Sequence, residues 1–296
     1  MRAALIALAV LCAWTAAGCG SAQTTTTKTS GAKARATPKQ PAGLRVAVVG
    51  DLEIKPVPGA SIERNADLAG AFVYPLVIVS AQALDVAAVS ALAAGDPTTH
   101  YAYVGASTKG QRQPNLVGIV LNETQAADLG GVVAGLVAAE QGGLDARVAW
   151  VGPSEPALAD AFTSGAQSVN PGVTVLRPTS SNLPAACKEA ALGAIARGAI
   201  VVMAHEGLCA DAANAGAHQQ NHVGLRISDF ELPWVPVSAL IGDAVAGIYR
   251  GGEDIAFGAS SGAIGVRRLD PRISADVGVR ARAAAQQLAS GLRPSG

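Results

Sequence analysis

From residue 44 onward, short runs rich in Val, Ile and Leu alternate with longer stretches in which apolar residues recur at helical spacing. The short runs predict strands at Arg45–Val49, Leu76–Ser80, Tyr101–Gly105, Leu116–Leu121, Arg147–Val151, Val173–Arg177, Ala199–Ala204 and Val223–Ile227. The longer stretches predict helices at Leu84–Ala94, Gln125–Gln141, Pro156–Val169, Pro184–Arg197, Leu208–His218 and Ser238–Tyr249. This alternation predicts an α/β fold with parallel sheets covered by helices on both faces. Because 253 residues follow residue 43, two such lobes are more natural than one, with ligand-binding loops where the strands end.

The first 18 residues have the pattern of a secretory signal peptide. Arg2 is followed by the apolar run Ala3–Trp14 and then by small residues at Ala16–Gly18. An apolar run of this length is too short to span a bilayer as a helix. The sequence Ala16-Ala17-Gly18-Cys19 resembles the bacterial lipobox, in which the cysteine is lipidated and becomes the mature N-terminus. The alternative is an ordinary signal peptide followed by a chance cysteine.

Residues 19–43 are rich in Thr, Ser, Ala and Lys and contain almost no large apolar side chain, which predicts a flexible tether. Lipidation at Cys19 would hold such a tether at the extracytoplasmic face of the cell membrane. The sequence therefore predicts a lipid-anchored protein without a transmembrane helix.

Charge is distributed unevenly along the chain. The 22 basic and 22 acidic residues cancel overall, but five of the basic residues and none of the acidic ones lie in residues 1–43. The body from Leu44 onward therefore has 17 basic and 22 acidic side chains, a net charge of −5, which argues against nucleic acid as a partner. Only 4% of the residues are aromatic while 34 are glycine, which predicts a core of small, closely packed side chains.

Cys187 and Cys209 are the cysteines that remain once Cys12 leaves with the signal peptide and Cys19 is lipidated. Each lies near the start of a predicted helix, and an oxidising compartment favours a disulfide between them. Neighbouring helix axes are usually about 8–10 Å apart, so the reach between the two cysteines is tight. A disulfide and two buried free thiols both remain open.

A family pattern is carried by segments that follow one another through the second half of the chain: Asn122–Gly131, Arg147–Gly152, Phe162–Ala166, Asn170–Val173, Ala186–Ala191, Arg197–Val202 and Val223–Arg226. In order and spacing these segments resemble the basic-membrane-protein family of ABC-transporter substrate-binding lipoproteins, which includes purine-nucleoside receptors. The resemblance implies a type I periplasmic-binding-protein fold with two hinge-linked lobes. It also implies a monomer that captures a small polar molecule, a nucleoside in this family, for an ABC permease and its ATPase.

The resemblance divides the chain into a first lobe at 44–121, a second lobe at 122–232 and a crossover that returns to the first lobe at 233–296. Asp51–Tyr74 is shorter than the corresponding family segment, so the first lobe is expected to lack one strand and one helix. Where the family usually carries two aspartates that bind ribose, this chain has Arg226 and Ser228, and a family lysine falls on Ile241. The scaffold is thus retained while most residues that read a nucleoside are not.

Strand-end loops of a two-lobed clamp should supply the ligand site. The polar and aromatic candidates there are Asp51, Ser107, Asn122, Glu123, His205, Glu206, Arg226, Asp229 and Trp234. Arg226 is the leading candidate because a guanidinium offers a planar fork of donors to a carboxylate, a phosphate or a base edge. Its alternative role is an ion pair with Asp229 or Glu231 in the hinge.

Two further candidates also have structural alternatives. His205 and Glu206 could instead cap the helix predicted from Leu208, because an acidic residue favours a helix N-terminus. Trp234 lies between two prolines and could stack a flat ligand or pack in the hinge.

The sequence predicts no metal site, no cofactor and no enzymatic activity. His205, His218 and His222 lie near Cys209, but a helix from Leu208 to His218 holds its ends about 15 Å apart, too far for one zinc ion. Gly258–Gly262 matches a hydrolase nucleophile motif, yet no histidine follows His222 to complete a triad in that order. Two hypotheses follow: a substrate-binding lipoprotein of an ABC importer, or a surface lipoprotein that uses the same scaffold as a sensor or interaction module.

Overall fold

The framework of the molecule is a pair of parallel β-sheets. A computed structural model describes residues 43–64, 73–143, 145–152, 155–178, 180, 183–205 and 207–292, which lie within one compact unit, Ala42–Gly296. The predicted signal peptide, Cys19, the predicted tether up to residue 42 and Glu206 lie outside the described residues.

The first lobe is built on a six-stranded sheet in the order β10-β5-β4-β3-β1-β2, with every pair of neighbours parallel. Its strands are β1 (Leu44–Val49), β2 (Ala60–Arg64), β3 (Leu76–Ser80), β4 (His100–Val104), β5 (Leu116–Leu121) and β10 (Asp254–Phe257). Because successive side chains of a strand point to opposite faces, Val46 and Val48 pack against helix α6 (Trp234–Val245). Ala47 lies on the other face, in the core that includes helix α1 (Val86–Gly95).

The second lobe is built on a four-stranded parallel sheet in the order β7-β6-β8-β9. Its elements are the strands β6 (Arg147–Val151), β7 (Thr174–Leu176), β8 (Ala199–Ala204) and β9 (Val223–Arg226) and the helices α2 (Glu123–Gln141), α3 (Pro156–Val169), α4 (Pro184–Ala196), α5 (Gly207–Gln219) and α7 (Ala275–Ala289). Helices α2, α3 and α7 share one core with the sheet, while α4 and α5 cover the opposite face. Cys187 of α4 and Cys209 of α5 are joined by a disulfide, with their Cα atoms 5.3 Å apart.

Glycines set the close approach of α2 and α3. A Cβ atom at Gly131 of α2 would overlap the carbonyl oxygen of Phe162, and one at Gly165 of α3 would overlap the carbonyl oxygen of Asp128. Backbone therefore packs directly on backbone at this interface, which explains how a chain with few aromatic residues fills its core. No helix among the described residues is long and apolar enough to cross a membrane.

Three described segments pass between the lobes. The first is Asn122, between β5 and α2; the second is 227–233, between β9 and α6; the third is 258–274, between β10 and α7. The second and third run side by side, because the amide of Leu232 donates to the carbonyl of Ala263 at 2.8 Å. The amide of Ala259 donates to Oε1 of Gln125 at 2.8 Å, which ties the third crossing to the start of α2.

The structure differs from the sequence expectations chiefly in the first lobe and in the segment from residue 233 onward. The segment after Asp51 does contain a strand, β2, which pairs in parallel with β1 although no helix lies between them in residues 50–59. Strand β10 adds a sixth member to the first sheet. Within the described residues 233–292, the helix and strand that return to the first lobe are α6 and β10, because α7 packs on α2 in the second lobe.

Candidate functional site

A cleft of about 620 Å³ lies between the lobes, where strands of both sheets reach their carboxyl ends. Parallel strands that end at the same edge bring their following loops together, and this edge is the usual ligand site of α/β sheets. A volume of this size is in the range of small-molecule sites. We call this space the interlobe cleft; its walls are formed by Asp51, Leu52, Glu53, Arg64, Ser80, Ala81, Gln82, Val104, Gly105, Leu121, Glu123, Gly207, Ala210, Asp211, Arg226, Ser228, Glu231, Pro233 and Arg267.

A second cavity, of about 790 Å³, adjoins the interlobe cleft. The two share five wall residues: Asp51, Glu53, Arg226, Ser228 and Arg267. These shared residues come from the loop after β1 in the first lobe and from the end of β9 and the two crossings beyond it. Both cavities therefore meet at one polar boundary between the lobes.

Arg226 lies at this boundary, at the last position of β9. Its guanidinium forms an ion pair with Asp211 of α5 at 2.5 Å, and the side chain is 40% exposed. The backbone amide of Arg226 donates to Oδ2 of Asp229 at 2.8 Å. The ion-pair partner is thus a residue of the same lobe, neither Asp229 nor Glu231, and the guanidinium is held at the cleft wall with exposed surface left for a ligand.

Other cations of the cleft are also held by the protein. Both terminal nitrogens of Arg64 donate to backbone carbonyls, one to Leu52 at 2.9 Å and one to Ile54 at 2.7 Å. Arg267 forms an ion pair with Glu53 at 2.8 Å. Arg267 is paired with a carboxylate, whereas Arg64 is bonded to neutral carbonyls and keeps its charge, so a ligand meets a surface that combines cationic donors with carboxylate acceptors.

Asp229 and Trp234 line the second cavity and not the interlobe cleft. Burial raises the pKa of Asp229 above its ordinary value, although the amide of Arg226 and the charges of Arg226, Arg268 and Arg267 oppose the shift. The ring of Trp234 has Lys55 Nζ at 4.9 Å and the guanidinium of Arg267 at 5.4 Å from its centroid. Lys55 and Arg267 thus lie over the ring of Trp234, on which a flat ligand was expected to stack.

The remaining predicted residues divide between the cleft and structural roles. Glu123 lines the cleft, and its Oε2 lies 3.1 Å from Nε2 of His205. Asn122 caps α2 by accepting from the amide of Gln125 at 3.1 Å. Ser107 donates to Oδ2 of Asp254, and like Asn122 it is absent from the walls of both cavities.

Several wall residues were not among the sequence candidates. Ser80 ends β3 and Gly105 follows β4 in the first lobe. Position at a strand end, the criterion by which Asp51 was selected, applies to them equally. Asp211 and Arg267 could not have been selected in this way, because one lies a turn inside α5 and the other in the third crossing. Their positions depend on how the lobes are joined.

No family model and no curated protein matches the chain. Solved structures that are similar to it include the following three. An ABC transporter solute-binding protein from Conexibacter woesei DSM 14684 is 18% identical, with a TM-score of 0.55 over 86% of this chain and 99% of that one. An ABC transporter solute-binding protein from Aeropyrum pernix K1 is 16% identical, with a TM-score of 0.52 over 84% of this chain and 92% of that one. A transcriptional activator of the comK gene from Bacillus halodurans is 12% identical, with a TM-score of 0.59 over 85% of this chain and 99% of that one.

At these identities the likeness shows the fold. The chain has the type I periplasmic-binding-protein fold, with two α/β lobes of parallel sheets flanked by helices, and the predicted fold class is confirmed. The finer resemblance to basic membrane proteins stays a prediction.

Proposed function

We propose that this protein captures a small polar molecule in the interlobe cleft and presents it to an ABC importer at the outer face of the cell membrane. The observation that carries the proposal is the position of the cleft at the carboxyl ends of both sheets, beside three crossing segments on which the lobes can hinge. A ligand that contacts both lobes favours the closed arrangement by its differential affinity. The proposal assigns a binding role and no catalytic step.

The chemistry of the wall favours a ligand with several hydrogen-bonding groups. Arg226 offers donors, Asp51 and Glu123 offer acceptors, and Ser80 and Gln82 offer both. A nucleoside has groups that match this mixture, and the family resemblance supports it as the first compound class to test. Ile241 counts against a nucleoside, because it stands at the family's lysine position and is 0% exposed in the core of the first lobe, where it cannot contact a ligand.

The membrane attachment in this proposal rests on the lipobox at Ala16–Cys19 and on the composition of the tether. Two or more acyl chains on Cys19 would hold the protein stably at the membrane surface. A monomer is sufficient for this role, because both walls of the cleft belong to one chain.

Thermal unfolding of residues 20–296 in the presence of nucleosides, bases, sugars and amino acids tests the proposal. A ligand at a hundred times its dissociation constant stabilises the folded state by about 2.7 kcal/mol. A shift with nucleosides would support the family-like cargo, and a shift with another class would keep the importer with a different cargo. The absence of any shift would count against a cleft that binds small molecules of these classes.

A second candidate function is a surface lipoprotein that keeps the clamp but acts as a sensor or interaction module without transport. Arg226, Ser228 and Ile241 favour it, because they replace the residues that the resemblance would assign to ligand binding. One of the similar structures is named as a transcriptional activator, so the fold is not restricted to transport proteins. Genes for a permease and an ATPase beside this one would support the importer, whereas a neighbouring histidine-kinase gene would support the sensor.

A further inference from the structure

Three side chains with metal-binding atoms converge at the rim of the interlobe cleft. They are Glu123, Glu155 and His205, and their ligand atoms all lie within 4.8 Å of one another. Nε2 of His205 is 3.1 Å from Oε2 of Glu123 and 3.9 Å from Oε2 of Glu155. The three residues are far apart in sequence, which is why the sequence alone predicted no metal site.

The topology of the second lobe explains the convergence. Glu155 follows β6 and His205 follows β8, and these two strands are neighbours in the parallel sheet. Glu123 is the first residue of α2, which packs over the same two strands. The three residues therefore come from three different segments, which are brought together by the ends of two neighbouring strands and the start of α2.

The cluster has an excess of negative charge. Two carboxylates share a single imidazole, and within the described part of the chain neither carboxylate forms an ion pair with a lysine or an arginine. Carboxylates this close repel each other unless a cation or a proton compensates them. Glu123 and Glu155 lie at the N-termini of α2 and α3. Each helix N-terminus supplies only about half a positive charge to its carboxylate, which is less than the charge of a divalent ion.

We propose that Glu123, Glu155 and His205 bind a divalent transition-metal ion of the Zn²⁺ type. One imidazole nitrogen and two carboxylate oxygens suit such an ion better than Mg²⁺ or Ca²⁺, which prefer oxygen alone. Metal–ligand bonds of about 2.1 Å place the ligand atoms of a tetrahedral ion about 3.4 Å apart. This separation lies between the 3.1 Å from His205 to Glu123 and the 3.9 Å from His205 to Glu155. A small rotation of the half-exposed Glu155 side chain brings the third atom into range.

The ion has a direct relation to the interlobe cleft. Glu123 is at once a metal ligand and a cleft wall, so the ion lies at the edge of the space in which a captured molecule would sit. Three protein ligands leave a fourth position for water or for an oxygen of a bound molecule. Metal binding itself does not depend on which cargo the cleft takes or on whether the protein serves an importer.

Calorimetric titration of the metal-free full chain with Zn²⁺ tests the site, with Mg²⁺ and Ca²⁺ as comparison ions. We expect one Zn²⁺ per chain, with affinity weakened more than 10-fold by Glu155→Gln and by His205→Gln. Glu155→Gln is the main variant because the residue is exposed and lies outside the cleft wall. Glu189→Gln, an exposed glutamate of α4, is the matched control and should bind as the unchanged protein does.

Circular dichroism of each variant separates loss of the site from loss of the fold, and an unfolded His205→Gln leaves Glu155→Gln as the deciding variant. Equal affinity in Glu155→Gln and in the unchanged protein would overturn the proposal. Zn²⁺ binding that is lost only in His222→Gln would place the ion elsewhere on the second lobe and would also overturn it. Failure of the unchanged protein to bind Zn²⁺ would do the same.

Discussion

Arg267 donates a hydrogen bond to Glu53 at 2.8 Å, and this ion pair joins the two lobes across the mouth of the cleft. Glu53 lies between Leu52 and Ile54, which are buried in the core of the first lobe. Arg267 belongs to the third crossing, and its neighbour Val266 packs on the core of the second lobe. The pair is therefore placed to hold the two lobes in their observed arrangement.

Glu53→Gln is expected to open the ligand-free protein. The pair is partly exposed, so its loss should cost less than about 1 kcal/mol and the effect should fade at high salt. Small-angle scattering should show a larger radius of gyration for the variant at low ionic strength. Asp160→Asn removes the same kind of charge from an ion pair within the second lobe, with Arg177, and should leave the dimensions unchanged. Identical scattering from Glu53→Gln and the unchanged protein would show that this pair does not hold the lobes together.

The Cys187–Cys209 disulfide should contribute substantially to the stability of the second lobe. It closes a loop of 22 residues in sequence, for which the loss of unfolded-state entropy predicts about 3 kcal/mol. Urea unfolding should shift to lower midpoint when the protein is reduced or when both cysteines are replaced by alanine. Reductant should have no effect on the double variant, which controls for the other cysteines. A midpoint insensitive to reductant in the unchanged protein would contradict this prediction.

Gly165 and Gly193 should respond in opposite directions to the same substitution. Gly165→Ala places a methyl group against the carbonyl of Asp128, so it should force α2 and α3 apart and cost about 3 kcal/mol. Gly193 lies on an exposed position of α4, where no described atom is within 4 Å of the added carbon, so the better helix propensity of Gly193→Ala should stabilise the fold by up to about 1 kcal/mol. Thermal unfolding of the two variants measures both changes in stability. Equal effects would show that the helices do not pack through this glycine.

Asp229 and Asp270 have pKa values shifted in opposite directions. Burial raises the pKa of Asp229. Burial also opposes ionisation of Asp270, but the amides of Arg272 and Gly224 and the side chains of His218 and Arg272 outweigh it and lower the pKa. Nε2 of His218 lies 2.7 Å from Oδ2 of Asp270.

These shifts predict opposite pH trends for the two asparagine variants. A raised pKa means that ionised Asp229 destabilises the fold, so Asp229→Asn should gain stability over the unchanged protein as pH rises from 4 to 7. A lowered pKa means that ionised Asp270 stabilises the fold, so Asp270→Asn should be less stable at pH 7, with the difference closing as the pH falls below 4. Denaturant unfolding across this range measures the two differences. The same trend for both variants would contradict the assignment.

Sequence patterns were most informative for strands buried on both faces. The run Leu76–Ser80 is fully buried and was predicted with the bounds observed, because a central strand between two helical layers has no polar face. Strand β2 was not predicted because it is an edge strand of Ala60–Arg64 whose side chains are mostly exposed and polar. Strand β10 is likewise an edge strand, and its apolar run of Ile255, Ala256 and Phe257 is too short to predict a strand.

Position at a strand end places some of the predicted site residues on the cleft wall but not others, such as Asn122 after β5. Arg226 ends β9 and Asp51 follows β1, and both lie on the cleft wall. Ser107 also follows a strand, but its hydroxyl donates to Asp254 and serves to connect β4 to β10. Arg267 was missed because its place at the cleft depends on the third crossing, which no local pattern describes.

The central claim is that Arg226 presents its guanidinium to a small molecule in the interlobe cleft. Its most direct test is calorimetric titration of any compound that shifts thermal unfolding, with Arg226→Ala compared to Arg177→Ala. Arg177 forms an equally exposed ion pair, with Asp160, away from both cavities. Loss of a charged hydrogen bond predicts affinity about 10- to 100-fold weaker in Arg226→Ala and unchanged in Arg177→Ala. Unchanged affinity in Arg226→Ala, with a loss of stability only, would place Arg226 in the hinge and contradict the account.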